Sequence, residues 1–149
     1  MNAGGTRLRL EARQTWLELG PDAVVVLPLG PRNIASDCLR HDPPTALEVE
    51  QAIDVIEEAL LRAGLPQAPR GTIVTSSTLL RALPGLERDG AVLARDAVEA
   101  LFQRLASAAL GHPSALAGMP MGADVAAALL ILREIMHHLG YDAVRVVGG

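Results

Sequence analysis

Two short runs rich in β-branched residues, 71–75 and 142–147, each follow a longer segment with helical periodicity. Strands that return to one sheet through a helix usually pair in parallel. Upstream, residues 15–29 contain two apolar runs around the turn sequence "GPD", which predicts an antiparallel hairpin. The order of these segments predicts an α/β fold with a mixed sheet and flanking helices, in a single domain over residues 1–149.

The first strand region contains a change of phase. In "RLRLEARQTWLEL", residues 7–19, the apolar positions change from even to odd numbers. A slip of one residue turns every side chain to the other face of a sheet. The pattern therefore indicates either one strand with a bulge or two strands that meet at "EARQ".

Three segments have the periodicity and the termini of helices. Thr45 and Glu48 form a Thr-x-x-Glu capping-box pattern, and Gly64 is a typical stop, so the first helix runs from residue 46 to about 63. The second helix is predicted over about 95–110 and the third over 124–138. The near-continuous apolar character of the third helix predicts that its neighbours cover it on most sides.

Composition excludes several classes of protein. Half of the residues are hydrophobic but only 2% are aromatic, so the core must be built from aliphatic side chains. A net charge of −4 without a basic cluster argues against a nucleic-acid partner. The apolar run at 125–132 is too short to span a bilayer, so no membrane association is expected. The lone Cys38 allows no intrachain disulfide and predicts a cytoplasmic location.

Two stretches of the sequence resemble a known family. "LPLGPRNIASDCLRHDPPT", residues 27–45, is similar to the segment of the exopolyphosphatase and guanosine pentaphosphate phosphatase (Ppx/GppA) proteins in which a "PLG" element precedes a "DPPT" helix start. Residues 100–149 are similar to the C-terminal part of that family. The resemblance implies a ribonuclease-H-like, actin-like ATPase fold of two α/β domains, of which this chain matches only the second.

The resemblance also points to candidate phosphate-binding residues. Where the family has a glycine-rich loop, this chain has Thr15 preceded by "EARQ"; Gly4-Gly5-Thr6 lies too far upstream and is predicted to be a frayed terminus. The family's second glycine loop is replaced by Thr75-Ser76-Ser77-Thr78, and Arg32 stands one residue before the position of the family's arginine. Hydroxyl groups before a helix suit either an anion site or an ordinary cap and turn.

The function predicted from these departures is a non-catalytic binding, interaction or regulatory module. The hydrophobic content favours self-association as a homodimer, or a separate partner domain. The alternative is a hydrolase of polyphosphate or guanosine pentaphosphate, active alone or completed by a partner, with magnesium as cofactor and phosphate, polyphosphate or a nucleotide as ligand. Its catalytic residue is not singled out by spacing.

No metal site is predicted from the sequence. His137 and His138 are adjacent, so their side chains point about 100° apart on a helix and do not converge on one ion. Asp54, Glu57 and Glu58 are predicted to form the solvated face of the first helix.

Overall fold

The strands form one mixed sheet. The computed structural model describes residues 5–119 and 121–148, and within them the sheet has six strands in the order β3-β2-β1-β4-β6-β5. β1, β4 and β6 run parallel, whereas β2, β3 and β5 pair antiparallel to their neighbours. The predicted α/β class and mixed sheet are confirmed. The strands are β1 (Thr6–Leu10), β2 (Thr15–Gly20), β3 (Ala23–Leu27), β4 (Gly71–Thr75), β5 (Val92–Ala94) and β6 (Tyr141–Val146).

Four α-helices flank the sheet in the described part of the chain. They are α1 (Pro31–Cys38), α2 (Ala46–Ala63), α3 (Arg95–Ala109) and α4 (Ala123–Leu139), with 3-10 turns at Leu80–Ala82 and Pro113–Leu116. α4 contacts α1, α2 and α3, and it carries a run of completely buried side chains from Ala127 to Leu132. The prediction that this helix is covered on most sides is confirmed. None of the four is both long and apolar enough to cross a membrane.

The core lies on one face of the sheet. Alternate strand residues are buried there, among them Leu8, Leu17, Ile73 and Val144. On the opposite face Arg7, Arg9, Val24, Val26 and Arg145 are exposed, and the Arg9 guanidinium lies 4.7 Å from the centre of the Trp16 ring.

Some elements differ from the sequence-based expectations. The phase change in residues 7–19 marks two strands joined by the turn 11–14, and not a bulged strand. Thr6 is not frayed: it is buried at the start of β1 and accepts a hydrogen bond of 2.7 Å from the Tyr141 hydroxyl, while Gly4 lies outside the described residues. α1 and β5 were not predicted, because α1 is short and begins at Pro31 and β5 has only three residues.

Candidate functional site

The sheet brings two of the candidate hydroxyl residues together near the carboxyl end of β1. Thr15 pairs with Leu10 on one side of β1, and Thr75 pairs with Leu8 on the other side. Both therefore lie near the carboxyl end of β1, which is where open α/β sheets usually bind their ligands. The sequence resemblance predicted phosphate-binding residues here, and the contacts of each residue decide whether it can act as one.

The hydroxyl groups of Thr15, Thr75 and Ser77 are engaged in local hydrogen bonds. Thr15 is fully buried, and its Oγ1 donates to the Leu29 carbonyl at 2.9 Å. Thr75 is also fully buried, and its Oγ1 accepts from the Ser77 amide at 3.1 Å, while the Ser77 Oγ accepts from the Leu80 amide at 3.4 Å. These bonds are those of a polar turn that begins a 3-10 helix. Ser76 is half-buried and Thr78 is exposed.

The β1–β2 turn is held tightly against the start of α1. The Glu11 amide donates to the Gln14 carbonyl at 2.9 Å, and the Arg32 amide donates to the Ala12 carbonyl at 2.8 Å. A Cβ atom at Gly30 would lie 2.2 Å from the Glu11 carbonyl oxygen and 2.6 Å from that of Ala12. Gly30 is therefore required by this close approach, and its own amide donates to the Asn33 side chain.

A small groove at this end of the strands is lined by charged residues that are already paired. Its volume is about 190 Å³, and its charged lining residues are Glu11, Arg32 and Asp124. Arg32 is largely exposed, and its Nε lies 3.9 Å from the Asp124 carboxylate. Glu11 in turn lies 2.9 Å from the Arg9 guanidinium, so each carboxylate faces one guanidinium and the groove has no unpaired cation to attract a phosphate anion.

A second group of polar side chains lies between α2 and α4. The Nε2 of His138 is 3.1 Å from Oε2 of Glu57 and 3.2 Å from Oε1 of Glu134. We call Glu57, Glu134 and His138 the α2–α4 cluster; their donor atoms all lie within 4.8 Å of one another. Burial raises the pKa of Glu134, Arg133 lowers it through a hydrogen bond and its charge, and Glu57 raises it further.

The α2–α4 cluster was missed by the sequence analysis. Asp54 and Glu58 are exposed as predicted, but the prediction was wrong for Glu57, which is half-buried against α4. The available signal was a glutamate inside an apolar helix, Glu134, with His138 four residues later on the same face.

Comparisons with known proteins identify the fold. No protein-family model and no curated protein matches the sequence. A solved Aquifex aeolicus Ppx/GppA protein superposes on 97% of this chain and 52% of its own, with a TM-score of 0.74 and 19% identity. An exopolyphosphatase from Cytophaga hutchinsonii matches 97% of this chain and 53% of its own, with a TM-score of 0.71 and 14% identity. A solved exopolyphosphatase-like protein covers 98% of this chain and 56% of its own, with a TM-score of 0.72 and 15% identity.

This chain thus has the fold of one half of a Ppx/GppA protein. It spans about half the length of these solved structures, which agrees with the half-domain that the sequence resemblance implied. The superpositions establish the architecture alone, because identities of 14 to 19% are too low to transfer function, and the chemistry must be argued from the residues of this chain.

Proposed function

We propose that this chain is a non-catalytic interaction module built on the Ppx/GppA half-domain fold. The observation that carries the proposal is the β1–β2 turn, residues 11–14, which has the sequence "EARQ" and is clamped onto Gly30. A phosphate cradle needs successive backbone N–H groups that point at one anion, and glycine permits the required approach.

Three residues at the start of α1 offer no free backbone donor. Pro31 has no N–H, the Gly30 amide donates to the Asn33 side chain, and the Arg32 amide donates to Ala12. The start of α1 therefore offers an incoming phosphate few free donors, and the Thr15 and Thr75 hydroxyls are bonded within the protein. Hydrolysis through Mg²⁺ also fits these residues poorly, because Asp124 faces the Arg32 guanidinium.

Calorimetric titration tests the absence of a phosphate site. We expect no binding heat with inorganic polyphosphate, guanosine pentaphosphate or ATP in the presence of Mg²⁺, and no release of phosphate from any of them. Binding to the wild-type chain that is lost in Ser76→Ala/Ser77→Ala or in Arg32→Ala would contradict the proposal and support the hydrolase alternative. Ser114→Ala, a change at an exposed serine outside the groove, is the control.

The partner that we propose is a second copy of the chain, paired through the β3 edge strand. β3 is a terminal strand of the sheet, so one side of its backbone is unpaired. Residues 23–27 contain no charged side chain, and Val24 and Val26 are 48% and 40% exposed. Natural edge strands usually carry charges or prolines that prevent such pairing.

The helix beside this edge adds a complementary surface. Val55 of α2 is exposed, and Arg62 lines a groove with Val26 and Pro28. Arg62 pairs with Glu58 at 2.9 Å on the helix surface. In a two-fold contact with antiparallel strands the same patch serves both copies, and Arg62 of one copy can face Glu58 of the other.

Mass measurement in solution tests the dimer. Light scattering coupled to gel filtration should give twice the chain mass of 15.6 kDa. Val24→Lys/Val26→Lys should give the monomer, whereas Val92→Lys should leave the dimer intact, because Val92 is an exposed valine on β5, at the opposite edge of the sheet. A monomeric wild-type chain, or equal dissociation by Val92→Lys, would contradict this contact.

A further inference from the structure

We propose that the α2–α4 cluster binds a divalent transition-metal ion of the Zn²⁺ type. This metal site is independent of the interaction module proposed above, because the cluster lies between two helices, away from both the groove and the β3 edge strand. It assigns Glu57, Glu134 and His138 as ligands, through one carboxylate oxygen from each glutamate and the Nε2 of the histidine.

The distances between the donor atoms fit a tetrahedral ion. Ligands that bind Zn²⁺ at about 2.0–2.1 Å in tetrahedral geometry are separated from each other by about 3.3–3.4 Å. Here the His138 Nε2 lies 3.1 Å from Glu57 Oε2 and 3.2 Å from Glu134 Oε1. Both distances from the histidine are within a few tenths of an ångström of this range, and the two carboxylate oxygens lie within 4.8 Å of each other, so side-chain adjustment alone can bring the three donors to a shared ion.

An unpartnered buried oxygen of Glu134 is a second observation that points to a ligand. Its side chain is 0% exposed, and its Oε1, which lies 3.2 Å from the His138 Nε2, has no hydrogen-bond partner in the part of the chain that the structure describes. His138 is within ion-pair distance of this oxygen, but the two atoms are not aligned for a hydrogen bond. A buried carboxylate oxygen without a partner is costly, and a cation held there would remove that cost.

Charge and donor chemistry select the class of ion. Arg133 donates to the other oxygen of Glu134 and also to Glu99. The Glu57 carboxylate lies beside Glu134, and the Arg133 guanidinium is shared between Glu134 and Glu99, so a cation between Glu57 and Glu134 would offset the repulsion between the two carboxylates. An imidazole nitrogen among the donors favours Zn²⁺, Co²⁺ or Ni²⁺ over Mg²⁺, which prefers oxygen ligands.

The site would join two helices that are distant in sequence. Glu57 belongs to α2, whereas Glu134 and His138 occupy successive turns of α4. The side chains of Glu57 and His138 are 38% and 33% exposed, so water can reach a fourth coordination position from the outer side. An ion here would stabilise the α2–α4 contact, since it binds the folded chain and not the unfolded one.

Titration of the tag-free chain with ZnCl₂ at neutral pH tests the site. Calorimetry should show one ion bound per chain, and CoCl₂ should give the visible absorption of a tetrahedral nitrogen-oxygen site. Substitutions of outer-shell partners commonly weaken metal sites by about 10–100-fold, so Glu57→Gln or His138→Gln should weaken binding by at least about tenfold. MgCl₂ should not displace the ion.

Exposed carboxylate and imidazole side chains near the ligands provide matched controls. Asp54→Asn and His137→Gln change such side chains and should leave affinity and the cobalt spectrum unchanged. Glu57 and His138 are partly exposed, so circular dichroism should show that their variants remain folded, which keeps the test decisive even where Glu134→Gln does not fold. No binding, or equal weakening by the control variants, would overturn the proposal.

Discussion

The groove lined by Glu11, Arg32 and Asp124 and the α2–α4 cluster differ in whether their polar groups are hydrogen-bonded. At the groove, where the sequence resemblance predicted phosphate-binding residues, the Thr15 and Thr75 hydroxyls and the Arg32 amide are bonded within the protein. Between the helices, where the sequence predicted no metal site, the buried Oε1 of Glu134 lacks a hydrogen-bond partner among the described residues. Location in a fold thus indicates where a site can form, whereas unsatisfied groups indicate where this chain still requires a ligand.

The largest effect is expected at Gly30. In Gly30→Ala the new Cβ would meet the backbone oxygens of Glu11 and Ala12, so the β1–β2 turn must move. Overpacking usually costs about 1–3 kcal/mol and occasionally more, and because the contacts are with backbone atoms we expect a loss of about 3 kcal/mol or more, which urea denaturation measures directly. Gly122→Ala is the control, because Gly122 also precedes a helix but has open space around its Cβ. Equal stability of the two variants would show that the turn is not clamped.

A smaller effect is expected from the buried hydroxyl of Thr15. Thr15→Val removes the donor to the Leu29 carbonyl and leaves that acceptor without its partner, which should cost about 1–3 kcal/mol. Thr78→Val changes an exposed residue of the segment 75–78, which we call the hydroxyl loop, and its stability should lie within about 0.5 kcal/mol of the wild type. Thermal unfolding of both variants distinguishes a structural hydroxyl from a dispensable one. No loss of stability in Thr15→Val would mean that its hydrogen bond contributes nothing.

Glu48 is a carboxylate whose two oxygens both accept hydrogen bonds, in contrast to Glu134. Glu48 accepts hydrogen bonds from the Thr45 amide and from His41, and these lower its pKa from 4.5 to about 2. Its contribution to stability is therefore complete above pH 4.5 and is lost as the pH falls towards 2. Denaturation between these pH values should show a shallower decline in Glu48→Gln than in the wild type. Identical slopes would contradict the lowered pKa.

Local signals in the sequence predicted local structure well. Thr45 and Glu48 form the capping box that was expected, and Gly64 ends α2 in the left-handed conformation, with φ of 71°. The change of phase before "TWLEL" indicated either one bulged strand or two strands, and the structure has two strands. Such features depend on neighbours within a few residues, so the sequence alone contains their cause.

Features that depend on distant contacts were not predictable in the same way. β5 exists because Val92–Ala94 pairs with β6, and Val92 lies opposite Arg145 in that ladder. The α2–α4 cluster joins Glu57 to side chains more than seventy positions later, which no spacing rule detects. The hydroxyl loop was placed correctly at the end of a strand, but only tertiary hydrogen bonds show how its oxygens are used.

One crystallographic experiment tests the central contrast most directly. Crystals of the tag-free chain would be grown with Zn²⁺ and soaked in tungstate, a phosphate-like anion, and anomalous difference maps would be measured for both elements. We expect a zinc peak among Glu57, Glu134 and His138, and no tungsten peak beside Arg32 and the β1–β2 turn. A tungsten peak held there by the hydroxyl loop, with no zinc between α2 and α4, would contradict both proposals.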